Sequence, residues 1–276
     1  MPMKIRRFVR TFLFAPIVVL ALAAQAAPSA HAASAAPDQV PFASRTLTMG
    51  ANTYKFQVFI PKHLSRKTNP PVILFLHGIG ERGTDGAQQT KNGVRLLIAQ
   101  DVDNFPAVVV CPQLQPETRW TQPAVEELTL KMLDQCIAEF HGDTRRVYLT
   151  GLSLGGYGSW EMARKFPSRW AAIAPVCGGV VFPAWVGAAP EETTASEKDP
   201  YAALAQSLPA IPIWDFHGEA DPTVPVSESR QIVASLLARK ADIRYSEYPG
   251  VGHNSWDNAY AEPGLLPWLL SHKRAN

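Results

Sequence analysis

Three cysteines in 276 residues are too few to staple a fold, and an odd number leaves at least one thiol unpaired. An excess of one charge is also missing. With 26 Lys and Arg against 24 Asp and Glu, nothing in the balance marks a nucleic-acid or polyanion binder. No uncharged apolar run reaches the roughly 20 residues that cross a bilayer. There is no Asn-x-Ser/Thr sequon and no repeat period. Disorder is excluded from the opposite side, because 46% of the residues are hydrophobic and the net charge is only +2. Glycine and proline are abundant instead, at 18 and 24 residues, and many of them punctuate the apolar segments as turns.

Residues 1–10 hold Lys4, Arg6, Arg7 and Arg10 and no acid. About 14 largely apolar residues follow, then small-residue exits at Ala24-Gln25-Ala26 and Ala30-His31-Ala32. Positive start, short apolar middle and small-residue exit make a secretory signal peptide. The expected division is a signal over 1–32 and one domain over 33–276. The mature chain is expected in a bacterial periplasm or the medium, an oxidising compartment, with no membrane attachment after cleavage.

Beyond Pro41, two alternating segments, Arg45–Met49 and Tyr54–Ile60, flank a turn at Gly50-Ala51-Asn52 and read as an antiparallel pair. Short apolar runs follow at Val72–Leu76, Ala107–Cys111, Val147–Thr150, Ala171–Val176, Ile211–Phe216 and Ile243–Tyr248. Continuous apolar strands suit a parallel sheet covered on both faces, and the gaps leave room for crossover helices. Over 122–140, Val125, Leu128, Met132, Cys136 and Phe140 share one helical face. Further helices are expected over 154–166, 226–239 and 258–271. The expected fold class is α/β, a doubly wound, mostly parallel sheet with antiparallel N-terminal edge strands and a small cap before Ile211.

The strand at 147–150 runs into Gly151-Leu152-Ser153-Leu154-Gly155, and a helical pattern starts at once. A G-x-S-x-G in this strand–turn–helix context presents its serine as a nucleophile on a strained turn. Glycines give that turn room, and the following helix N-terminus favours a developing oxyanion. A serine needs a base. His253, in Gly250-Val251-Gly252-His253-Asn254-Ser255-Trp256, is the candidate, and Asp221 in His217-Gly218-Glu219-Ala220-Asp221-Pro222 is the acid that would orient it. Glu219, Asp215 and Asp257 are rival acids. The oxyanion donors are expected at the backbone N–H of Leu154 and at that of Ile79 or Gly78, in Leu76-His77-Gly78-Ile79-Gly80. His77 is expected to serve structurally and not as the base.

With these residues placed, the chain resembles the α/β-hydrolase superfamily. It is most similar to secreted esterases and predicted peptidases related to dienelactone hydrolase, phospholipase/carboxylesterase and the feruloyl and acetylxylan esterases that resemble polyhydroxybutyrate depolymerases. The stretches that carry this are LFLHGIGERGTDG (74–86), VVVCPQ (108–113), GLSLGGYGSWEMARKFPSRWAAIAPVCGG (151–179), HGEADPTVP (217–225) and GHNSWDNAY (252–260). The resemblance implies a Ser153–Asp221–His253 triad with neither metal nor organic cofactor. Dienelactone hydrolases proper use a cysteine where this chain has Ser153, which disfavours that activity.

The expected function is a serine carboxylic-ester hydrolase acting on short-chain, acetyl or hydroxycinnamoyl esters, small or polysaccharide-linked. A serine peptidase of prolyl-oligopeptidase type is the alternative, and a non-catalytic binding module the reading from another class. Gln113, Trp120, Trp185 and Trp256 are each either substrate-binding or packing residues. Glu81 and Arg82 are expected to pair with each other, and Cys111, Cys136 and Cys177 to be buried free thiols.

Overall fold

A computed structural model of the chain describes residues 36–64, 69–187, 193–208 and 210–275. The signal reading over 1–32 lies outside the described residues, as do Glu191 and Glu192 of the cap.

Eight strands form one sheet in the order β1-β2-β4-β3-β5-β6-β7-β8. They are β1 (Ala43–Met49), β2 (Asn52–Phe59), β3 (Val72–Leu76), β4 (Val108–Pro112), β5 (Val147–Leu152), β6 (Ala172–Val176), β7 (Ile213–Gly218) and β8 (Ile243–Tyr248). β2 runs antiparallel to both β1 and β4, and every pairing from β4 to β8 is parallel. This is the expected mostly parallel sheet with an antiparallel N-terminal edge.

Strand periodicity explains the layers. Leu74 and Leu76 of β3 join one apolar cluster with Met132 and Cys136, Trp160 and Met162, and Ile232 and Leu236. These come from α2 (Pro123–Phe140), α3 (Leu154–Lys165) and α5 (Ser227–Ala238). Ile73 and Phe75, pointing the other way, join a second cluster with Leu97 and Ile98, Tyr260, Leu265 and Leu269. Those belong to α1 (Val94–Ala99), α6 (Trp256–Ala261) and α7 (Leu265–Ser271). Each such fully buried side chain contributes roughly 1.5–3 kcal/mol by leaving water, so the inner strands are fixed from both faces.

Three local expectations are corrected. The helix expected over 258–271 is two, α6 and α7, broken at Glu262-Pro263-Gly264, because proline cannot donate into the ladder and glycine weakens it. β8 is an edge strand, mostly half-buried, and its Arg244 and Glu247 discourage pairing with another chain. The cap contains an unforeseen helix, α4 (Pro200–Ser207). Its start was legible, since the Asp199 side chain accepts from Ala202 N and Pro200 opens the first turn.

Candidate active site

β3 is where the strand order reverses, with β4 on one side and β5 on the other. Crevices at such switch points, beyond the carboxyl ends of the strands, are where open α/β sheets bind ligands. The end of β3 carries His77–Gly80, and the end of β5 carries Ser153, Leu76 pairing with Gly151 across the ladder. Ser153 has φ +52°, a conformation that costs a non-glycine residue about 1–3 kcal/mol. Its neighbours make the turn feasible. A Cβ on Gly155 would stand 1.9 Å from Leu76 O, and one on Gly156 would stand 2.6 Å from Val176 O.

The three expected residues, spread over 100 positions, are brought together. His253 Nε2 lies 2.9 Å from Ser153 Oγ, and His253 Nδ1 lies 2.7 Å from Asp221 Oδ2. Asp221 Oδ1 accepts from Thr223 N at 2.8 Å and Val224 N at 2.9 Å. Burial works against the Asp221 charge, but hydrogen bonds from His217, His253, Val224 and Thr223 outweigh it and hold the carboxyl well below the usual carboxylate range. The loops carrying the acid and the histidine are tied together. Ala220 N donates to Val251 O, and a Cβ on Gly218 would meet Gly252 O at 2.3 Å. The rival acids do not reach His253 Nδ1. Glu219 accepts from Gly250 N, Asp257 from Asn254, and Asp215 lies fully buried on β7.

Leu154 is the first residue of α3, and Ile79 opens a 3-10 turn over Ile79–Glu81. Backbone N–H groups at such helix starts have no partner within the helix. Gly78 passes so near that a Cβ there would come within 3.7 Å of Ser153 Cβ. The loop is braced from behind by His77. Its Nε2 accepts from Leu114 N at 2.9 Å, and Nδ1–H donates to Gly78 O at 2.6 Å. Burial pushes its pKa down to about 4, so the ring is a neutral strut.

Two of the four substrate candidates belong to this bracing. Trp120 is 1% exposed, its Nε1 donates to His77 O at 2.9 Å, and it packs where Gly158 leaves room. Gln113 accepts from Gly86 N and donates to Glu81 O and Asp85 Oδ1. The polar groups of both therefore serve the early loop. Trp256 is half-buried and stands edge-on to His253 at 5.3 Å. The Trp185 side chain lies outside the described residues. Glu81 does not pair with Arg82 as expected but accepts from Asn92 Nδ2 at 2.5 Å.

A small, shallow apolar crevice beside Ser153 was not foreseen from the sequence. It is lined by Ile79, Leu154, Tyr157, Phe182, Val186 and Val224, with Pro183. Tyr157 and Phe182 stack at 4.3 Å and form one wall. Ile79 and Leu154 carry a sequence signal through the oxyanion loop and the nucleophile turn, whereas Tyr157, Val186 and Val224 carry none. All three cysteines are free and buried. Cys177, Asp221 and His253 are the group of possible metal-ligating side chains among the described residues. Asp221 and His253 are spent on each other, and burial pushes the Cys177 thiol far up, away from the thiolate that a metal binds.

The profile of the prolyl oligopeptidase family matches residues 117–265, more than half of the chain, and the chain belongs to that family. It is similar to a feruloyl esterase B of Thermothelomyces thermophilus, 31% identical over 160 residues, which cover 55% of this chain and 51% of that protein. It is equally similar, at 31% over 136 residues, to a bifunctional acetylxylan esterase/xylanase of Neocallimastix patriciarum, covering 45% of this chain and 18% of that one. The chain therefore spans about half, or less, of these curated relatives. A solved thermostable esterase superposes with a TM-score of 0.72 at 30% identity, over 84% of this chain and 63% of its own.

Proposed function

We propose that this member of the prolyl oligopeptidase family is a serine carboxylic-ester hydrolase that works through an acyl-enzyme. The observation that carries the reading is the hydrogen-bonded run Ser153 Oγ–His253–Asp221, at 2.9 and 2.7 Å, at the sheet's switch point. His253 takes the Ser153 proton as the hydroxyl attacks the acyl carbon. The N–H of Leu154, with that of Ile79 or Gly78, receives the oxyanion. Asp221 holds His253 in its tautomer and stabilises the imidazolium, and His253 then protonates the leaving alcohol and later activates the water that deacylates Ser153.

The wall of the crevice supports a short acyl group. Its lining is apolar, and the stacked Tyr157–Phe182 pair limits its depth. The names of the relatives support acetyl and hydroxycinnamoyl esters, small or attached to polysaccharide. A peptidase is the second reading, favoured by the family match itself. We further propose export from a bacterial cytoplasm by the leader over 1–32.

Two measurements on the purified protein test the assignment. A fluorophosphonate is expected to label the wild type at Ser153, and Ser153→Ala is expected to lose both labelling and ester hydrolysis while unfolding at the same temperature. Full hydrolysis by the variant would overturn the serine mechanism. A panel of p-nitrophenyl, acetylxylan, feruloyl and prolyl-peptide substrates is expected to show ester turnover highest for acetyl and propionyl groups. Faster peptide than ester cleavage would reverse the order of the two readings.

A further inference from the structure

Behind Asp221, on the side away from Ser153, lies a buried polar group that the proposed chemistry leaves unused. Strand periodicity points Asp215 and His217 of β7 to one face, and both are 0% exposed. His217 Nε2 stands 3.4 Å from Asp221 Oδ2 and 3.0 Å from Val224 O. Its Nδ1 stands 2.8 Å from the hydroxyl of Ser229, a fully buried residue in the first turn of α5. Neither oxygen of Asp215 has a hydrogen-bond partner among the described residues. A buried carboxyl without a partner takes up a proton unless a cation faces it.

Asp221 does not need this arrangement merely to be satisfied. Oδ1 already accepts two backbone N–H groups and Oδ2 accepts from His253. A further donor 3.4 Å behind Oδ2 is therefore more than packing requires. If the His217 ring were neutral, one nitrogen would accept from Ser229, the other would donate to Val224 O, and Asp215 would face no opposite charge. With both nitrogens protonated, Ser229 and the pair Val224 O and Asp221 Oδ2 are the acceptors, and the Ser229 proton is free to turn towards Asp215.

We propose that His217 is a positioning residue for ester hydrolysis, an imidazolium held between Asp215 and Asp221 that fixes the Asp221 carboxylate from behind and moderates the basicity Asp221 confers on His253. Burial opposes charge on His217, but the Asp221 hydrogen bond, the Asp215 charge and Val224 O outweigh it and raise its pKa. Burial pushes Asp215 up to about 7 against the pull of the His217 charge. The charged and titratable groups facing this pair are few. From β8 come Tyr245 and Glu247, register partners of Asp215 and His217. α5 supplies Arg230, which pairs with Glu247, and Cys177 follows β6. Arg230 neutralises Glu247 at the surface, so the Asp215–His217–Asp221 run is the dominant inner charge set.

The proposal rests on the serine-hydrolase reading, and the test separates the two. In His217→Gln, which keeps a donor but not the charge, kcat for p-nitrophenyl acetate is expected to fall about tenfold with KM little changed. The acid limb of the kcat/KM profile is expected to move up by about one pH unit, because His253 loses a nearby positive charge. An unshifted limb, with or without loss of rate, would overturn the proposal. Independently of whether the variant folds, 15N-histidine labelling of the wild type at pH 7, with His217 assigned through bonds, is expected to find both ring nitrogens protonated. A singly protonated ring would overturn it even if esterase activity is present, whereas absence of any hydrolysis with a doubly protonated ring would strike the functional reading alone.

Discussion

At the scale of single residues, the site is set by where side chains are missing. Gly155 lies under Leu76 O so closely that a methyl group would approach to 1.9 Å, and both partners are main chain, so neither can swing aside. Gly155→Ala is expected to cost on the order of 4 kcal/mol or more, the range of the most damaging point changes. Gly80→Ala, in the neighbouring loop, meets nothing within 4 Å and serves as the matched control. Urea denaturation of both checks the contrast, and equal midpoints would refute the steric account of the turn. Ser153 with φ +52° is tolerated because the helix that follows locks it. Ser153 O accepts from Gly156 N and Tyr157 N, and Ser153 N donates to Val176 O.

At the scale of elements, the connection from α2 to β5 and the C-terminal segment after α7 are clasped by one carboxylate. Asp143 accepts from Arg145 N and Arg146 Nε, both at 3.0 Å, and pairs with Lys273 at 3.2 Å. Burial works against its charge, but these donors prevail and lower its pKa to about 2. A carboxyl whose folded pKa is depressed adds stability above its unfolded value of 3.8 and loses it as pH falls through the folded one. Asp143→Asn is therefore expected to lower Tm by about 2–4 °C near neutral pH, corresponding to about 1 kcal/mol. The gap should close between about pH 4 and pH 2. A gap that persists unchanged at pH 2 would show that the charge is not what holds the clasp. The same scale explains the broken C-terminal helix, where the apolar period over 258–271 continues across Pro263 but the backbone ladder cannot.

At the scale of the whole molecule, the proposed leader would link charge and address. Lys4, Arg6, Arg7 and Arg10 all lie within residues 1–32, so cleavage there would move the formal charge from +2 to about −2. Mass spectrometry of the protein recovered from periplasm or medium is expected to find a first residue between Ala27 and Ala33. Isoelectric focusing should place that form acidic of the uncleaved chain. Recovery of an intact Met1 terminus from the medium would remove the signal-peptide assignment. Among the described residues, no helix is long and apolar enough to cross a membrane.

The sequence by itself determined the elements and the reactive turn. Apolar runs of four to six residues, a helical stripe ending at Phe140, and Gly151-Leu152-Ser153-Leu154-Gly155 between strand and helix are local patterns, and local sterics and solvation are enough to read them. It also put Asp221 ahead of three rival acids as the partner of His253. The contact itself belongs to the tertiary structure, because β7 and β8 lie side by side and the packing of Gly218 against Gly252 brings Asp221, 32 residues away, to 2.7 Å from the ring. The same is true of Trp120 and Gln113, whose hydrogen bonds to the early loop are contacts between residues far apart in the chain. The buried pair Asp215 and His217 was equally invisible. In sequence they are residues of an apolar strand and the turn after it, and only the helix laid over them removes the water that would otherwise have satisfied both.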